Sequence, residues 1–171
     1  MHHEPFLKSP RFLFRLTDLP PGGLARWVEL RAQYRRTLGP VVPLLDRPSA
    51  QIESNLADSG AALEALGYQI AKERGGFTSR QQVGYRDAIS RVIADVPFHP
   101  VADPAAWASA SNRAYRSVKH PDNPLPDGLE ALNVHRQNLL MIRYWVAARL
   151  GVAPSTLERR LPSDPLGAMY Q

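Results

Sequence analysis

Cysteine is missing from this 171-residue chain, so neither a disulfide nor a thiolate metal site can contribute to its fold or chemistry. That composition suits a reducing compartment, and a cytoplasmic protein is expected. Lysine is nearly missing too: Lys8, Lys72 and Lys119 are the only ones, and the other basic residues are arginines. No apolar run approaches the ~20 residues that cross a bilayer, and no secretory leader is readable, so no membrane partner is expected. Internal repeats and low-complexity tracts are absent as well. What remains is ordinary for a folded protein, with 44% hydrophobic and 22% charged residues. The excess of 21 basic over 16 acidic residues gives a net charge of +5. An arginine-rich surface grips phosphate in bidentate fashion, so an anionic partner such as nucleic acid fits the charge.

The first twenty-odd residues differ from the rest. Residues 11–16 read as a short strand, and Pro20-Pro21-Gly22-Gly23 breaks the chain after it. A lone strand leaves its ladder unpaired. Residues 1–23 are therefore expected to be an extended segment left over from an upstream β domain of a longer protein. From Leu24 the period is helical. A first helix over 24–38 should be interrupted at Gly39-Pro40. A second, capped by Ser49, runs to Arg74 and stops at Gly75-Gly76. It carries the stripe Ile52, Leu56, Ser59, Leu63, Leu66 and Ile70, beside the small residues Ala57, Gly60, Ala61 and Gly67. A third, capped by Thr78 or Ser79, ends at Pro97. A fourth begins at the cap Asp103 with Pro104 in the first helical position. It stops at His120 because Pro121 disfavours helical geometry in the residue before it. A long fifth helix runs from Asp127 to Leu150 and ends at Gly151. A short helix over 155–161 and a frayed tail over 162–171 complete an all-α chain, with a helical domain over 24–161.

The stretch Asn112-Arg113-Ala114-Tyr115-Arg116-Ser117-Val118-Lys119-His120-Pro121-Asp122 concentrates the chemistry. Arg113 and His120 lie seven positions apart, nearly two helical turns, and so project from one face if both are helical. A guanidinium that grips phosphate beside an imidazole that moves protons is sufficient apparatus to cleave RNA without a metal or cofactor. The same residues also read as plain complements to the negative end of a helix dipole. Glu64, one turn after Gly60, is a candidate for orienting the motif arginine or histidine through a buried ion pair, or else a solvated carboxylate. His135 reads as a satisfied core histidine and His99 as a loop residue. Arg136, Arg143 and Arg149 form either a basic edge or a set of solvated arginines. No histidines stand at metal-ligand spacing.

Together with the proline-rich turn that follows and the helix ending Arg143-Tyr144-Trp145-Val146-Ala147-Ala148-Arg149-Leu150-Gly151-Val152, this motif resembles the HEPN superfamily. It is most similar to the C-terminal HEPN domain of ApeA-type anti-phage proteins. The resemblance covers residues 10–160. It implies a HEPN-like bundle of about five helices that forms a homodimer, with Arg-x(4–6)-His motifs meeting in a shared cleft. It further implies a metal-independent endoribonuclease serving anti-phage defence or a toxin-like role. Carried over by position, Arg113, His120 and Glu64 would be the catalytic set, and Asn112, Arg116 and Lys119 would contact RNA. The departures are Tyr115, where the commoner four-residue gap would place arginine, and Ala114, where a polar residue usually follows it. A non-catalytic bundle that dimerises or binds a partner is the alternative, built on the small face of the second helix. A DNA-reading role is disfavoured, because the helix before residues 152–161 is too long and too apolar for a helix-turn-helix.

Overall fold

A computed structural model describes residues 13–45, 51–75 and 83–167. Among them are seven α-helices and two 3₁₀ turns, with no strand. The helices are α1 (Gly23–Gln33), α2 (Arg35–Leu44), α3 (Ile52–Glu73), α4 (Tyr85–Asp95), α5 (Pro104–Lys119), α6 (Gly128–Arg149) and α7 (Pro154–Arg160). The all-α expectation holds for the described chain.

α3 is the organising element and packs against α2, α4, α5 and α6. Its expected stripe is buried at Leu56, Ser59, Leu63, Leu66 and Ile70. Gly67 explains how α4 comes so close, since a Cβ there would fall on the backbone of Ala88. Gly60 does the same for α5, as shown below. Ala61 faces outward instead. The close-approach face is thus the Gly60/Gly67 pair, two turns apart, and within this chain both positions are already covered. α6 is more than an amphipathic seam: from Leu139 to Ala147 every residue but the half-buried Arg143 is buried. Such a helix reads as apolar on all sides because it is surrounded.

Several boundaries follow the predicted signals. Asp103 caps α5, its carboxylate accepting from the amides of Ala105 and Ala106 at 3.0 and 2.9 Å. Asp127 caps α6 in the same way through Leu129 and Glu130. Gly151, at φ +84°, closes α6: its amide reaches the Ala148 carbonyl, and that of Val152 reaches Ala147.

Others do not. Gly39-Pro40 was expected to interrupt the first helix, yet both residues lie inside α2, together with Pro43. The break falls at Tyr34, whose buried ring meets Trp145 at 4.6 Å between centroids. Pro40 and Pro43 can offer no amide to the carbonyls of Arg36 and Gly39, and both of those residues are exposed. Water can serve the freed acceptors, which is why the prolines are tolerated. Caps expected from Ser49, Thr78 and Ser79 lie outside the described residues.

The expected strand over 11–16 is not formed in its described part, 13–16. Leu13 is fully buried in the core, and a 3₁₀ turn follows at Leu16–Asp18. Arg160 pairs with Asp18, one of the two contacts measuring 3.0 Å. Residues 13–22 therefore lie strapped onto the bundle rather than extended away from it. The tail is also docked through residue 167: Asp164 is buried and binds Arg143 at 3.1 Å, and Leu166 packs on the core.

Candidate functional site: a cationic pocket at the end of α5

The end of α5 opens into a pocket of about 500 Å³. Asn112, Tyr115, Arg116 and Lys119 line it, and their spacing of three, four and seven residues places them on one face of the helix. Glu64 of α3 and the start of α4, Gly84, Tyr85 and Arg86, complete the wall together with His120. Three cations, an imidazole and one carboxylate thus meet in one place.

His120 reaches the pocket by leaving the helix. It is the C-cap of α5, with extended φ −129° and ψ 109°, and its amide still bonds to the Arg116 carbonyl at 3.0 Å. Pro121 enforces that geometry on the residue before it. The seven-residue step from Arg113 therefore does not bring the two side chains together. Arg113 lies about 60° around the helix from Arg116, is 64% exposed and forms an ion pair with Glu130 of α6 at 2.8 Å. Arg113 does not line the pocket. Of the residues expected from sequence, the structure gathers Asn112, Arg116, Lys119, His120 and Glu64, and leaves Arg113 on a neighbouring face.

Glu64 does not engage Arg113 or His120 as expected. Its Oε2 accepts from the Tyr115 hydroxyl at 2.8 Å and lies 3.7 Å from the Lys119 ammonium. Gly60 makes this possible, because any Cβ there would overlap the Tyr115 ring. The ring lies flat against α3, contacts Tyr85 at 4.4 Å between centroids, and carries the Lys119 ammonium 4.8 Å above its own centroid. Burial, reinforced by the hydrogen bond to Glu64, pushes the Tyr115 hydroxyl well above its ordinary pKa. It therefore stays a donor at any physiological pH.

Behind the pocket runs a buried polar chain. The Tyr85 hydroxyl meets Ser111 Oγ at 2.8 Å, and Ser111 donates to Asn138 Oδ1 at 2.8 Å. Trp107 Nε1 donates to the same oxygen at 3.0 Å. Asn138 Nδ2 donates to Ser59 Oγ at 3.3 Å, and His135 Nδ1 lies 3.4 Å from that hydroxyl. His135 is buried, as the sequence suggested, and burial pulls its pKa down to about 4. This network ties α3, α4, α5 and α6 together with neutral groups, fixing the register of α5 and hence of the pocket.

No known protein-family model matches this chain, and neither curated proteins nor solved structures give a match.

The α6 arginines, read as either a basic edge or a solvated set, are engaged within the bundle. Arg143 binds Asp164, Arg149 binds Glu73 and Asp95, and Arg136 reaches the Pro165 carbonyl. His99 lies in the α4–α5 loop, as read, with Nδ1 shielded from solvent. Among the described residues, no three histidine, aspartate or glutamate side chains gather as metal ligands would. No helix among them is long and apolar enough to cross a membrane.

Sequence reasoning missed Arg86 and Tyr85. It started α4 at Thr78 or Ser79, which would have buried both in mid-helix. The signal was Gly84, a residue without helix propensity that serves here as N-cap.

Proposed function

We propose that the pocket binds the sugar-phosphate backbone of RNA and that the chain is a metal-independent endoribonuclease of the HEPN type, acting as a homodimer in defence or a toxin-like role. The observation that carries this reading is the convergence of Arg86, Arg116, Lys119 and His120 on one pocket. In that arrangement Arg116, rather than Arg113, takes the part of the phosphate clamp, and its fork offsets the charge that grows on phosphorus. The 2′-oxygen bonds to phosphorus as the bond to the 5′-oxygen breaks. The 2′-hydroxyl proton passes to water or to the second imidazole of the dimer. His120 in its protonated form gives a proton to the departing 5′-oxygen. The products are a 2′,3′-cyclic phosphate and a free 5′-hydroxyl.

A second reading is favoured by one observation: Arg113, the arginine of the motif, is held by Glu130 outside the pocket. On that reading the bundle is a non-catalytic dimerisation or partner-binding module that retains only the fold. Incubation with RNA in EDTA separates the two. The nuclease reading expects cyclic-phosphate ends, a rate about 10²–10⁴-fold lower in His120→Ala, and a larger loss in Arg116→Ala than in Arg113→Ala. Cleavage undiminished in His120→Ala sinks the assignment. A protein that dimerises and leaves every RNA intact supports the module.

A further inference from the structure

Glu64 is the one acidic residue among those described around a pocket otherwise built for an anion. A carboxylate there repels phosphate, so its presence calls for a reason. Its placement is also specific. Both of its polar contacts, with Tyr115 and Lys119, run to Oε2. The side chain is about a third exposed and lines the pocket, and a carboxylate has more acceptor sites than these two contacts occupy. The anchoring is deliberate in its parts: Gly60 admits the Tyr115 ring, the ring presents its hydroxyl, and the hydroxyl fixes the carboxylate. A ligand that satisfies the whole site carries an anionic group for Arg86, Arg116 and Lys119, and a neutral hydroxyl donor beside it for Glu64. A ribose 2′-hydroxyl next to a backbone phosphate has that chemistry, and deoxyribose does not.

The geometry points to Glu64 as the specificity residue of the pocket, accepting a hydrogen bond from a ribose 2′-hydroxyl and so selecting RNA over DNA. This role rests on the nucleic-acid reading above and differs from orienting the motif histidine or arginine. It predicts discrimination at the level of binding, before any bond is cut.

The test uses fluorescence anisotropy on three single strands of one sequence: RNA, its 2′-deoxy counterpart and its 2′-O-methyl counterpart. All measurements use a His120→Ala parent, so that no strand is cleaved. The 2′-O-methyl strand keeps the ribose pucker but has no donor, and so separates the hydroxyl from sugar shape. The parent should bind RNA about tenfold more tightly than either other strand, the worth of one hydrogen bond to a charged acceptor. Glu64→Gln preserves an acceptor for Tyr115 and should lower the preference to about threefold, because a neutral amide accepts more weakly. Glu64→Ala should reduce it to within about twofold while DNA binds no worse than before. An RNA preference unchanged in both variants overturns the inference. So does equal binding of all three strands by the parent, provided that Arg116→Ala weakens all of them, and the nucleic-acid reading then survives alone. If no strand binds, or if Arg116→Ala changes nothing, that reading falls and the role of Glu64 falls with it.

Discussion

Two corners of this bundle are built to one plan and finished differently. At the α3–α4–α6 corner, Tyr34 meets Trp145 at 4.6 Å and the Arg149 guanidinium lies 5.0 Å over the tryptophan ring. At the pocket, Tyr85 meets Tyr115 at 4.4 Å and the Lys119 ammonium lies 4.8 Å over the tyrosine ring. The difference lies in the carboxylates. Arg149 has two, Glu73 at 3.0 Å and Asp95 at 2.8 Å, and Asp95 also serves Arg74 and the Trp145 indole. Among the described residues Lys119 has only Glu64 at 3.7 Å, with Arg86 and Arg116 beside it. A corner with matched charges is a clasp, and its energy is spent on holding helices together. A corner with cations in excess holds little together, and its attraction is directed outward at an anion.

The sharpest way to break the comparison is at Asp95. Its side chain is only 6% exposed and has three partners. Asp95→Ala takes the carboxylate from Arg74 and the Trp145 indole N–H and leaves Arg149 with Glu73 alone, a loss of about 3 kcal/mol. Urea unfolding should show the drop, while on the proposed nucleic-acid reading RNA affinity at the distant pocket stays within about twofold of the parent for the fraction that remains folded. A loss of stability below about 1 kcal/mol would mean that the clasp is only surface decoration.

Next in size is an effect of pH on the neutral network behind the pocket. Burial holds His135 uncharged, with a pKa near 4 against 6.5 for the free side chain. The Asn55 backbone and Asp58 oppose that shift, and Arg136 adds to it. Between pH 6.5 and 4 the unfolded chain therefore binds a proton that the folded chain refuses. Stability from this residue is full above pH 6.5 and falls as the pH drops toward 4, by about 3 kcal/mol over the whole window. His135→Gln, which cannot titrate, should flatten that part of the profile in urea melts at stepped pH. A slope that survives the substitution would place the acid sensitivity elsewhere.

How much of this was legible in the chain depends on the range over which each signal acts. Helix existence is local, and the cap Asp103, the start at Asp127, the stop at Gly151 and the stripe from Ile52 to Ile70 could be read directly. The proline-containing α2 could not, because its cost is met by water on an exposed face that only the packing defines. At the site, Asn112, Arg116 and Lys119 were expected from the resemblance and do share one face of α5, but Tyr115, which lies among them, was read only as a departure from the motif. Arg113 falls outside the pocket for one reason: a seven-residue step shares a face only while both residues are helical, and Pro121 turns His120 out of the helix. Glu64 was noticed for the right feature, its distance of one turn from Gly60, and given the wrong partner. Which side chain fills the space above a glycine is decided by a segment fifty residues away. No local pattern carries that.

The smallest of these changes in stability tests the pocket most closely. Gly60→Ala adds one methyl group, and its Cβ would overlap the base of the Tyr115 ring rather than a flexible tip. The ring must move off α3 at a cost of about 1 to 3 kcal/mol, no more than the clasp variant. Its consequences are concentrated where the clasp variant has none. Tyr115 loses its seat, its hydroxyl leaves Glu64, and Lys119 loses both the ring and the fixed carboxylate. If the pocket is an arrangement held together by that one contact, Gly60→Ala should remain folded by circular dichroism and yet lose most of its discrimination between RNA and DNA. If discrimination persists while stability drops by the expected amount, the tyrosine is a packing residue and the carboxylate holds its position without it.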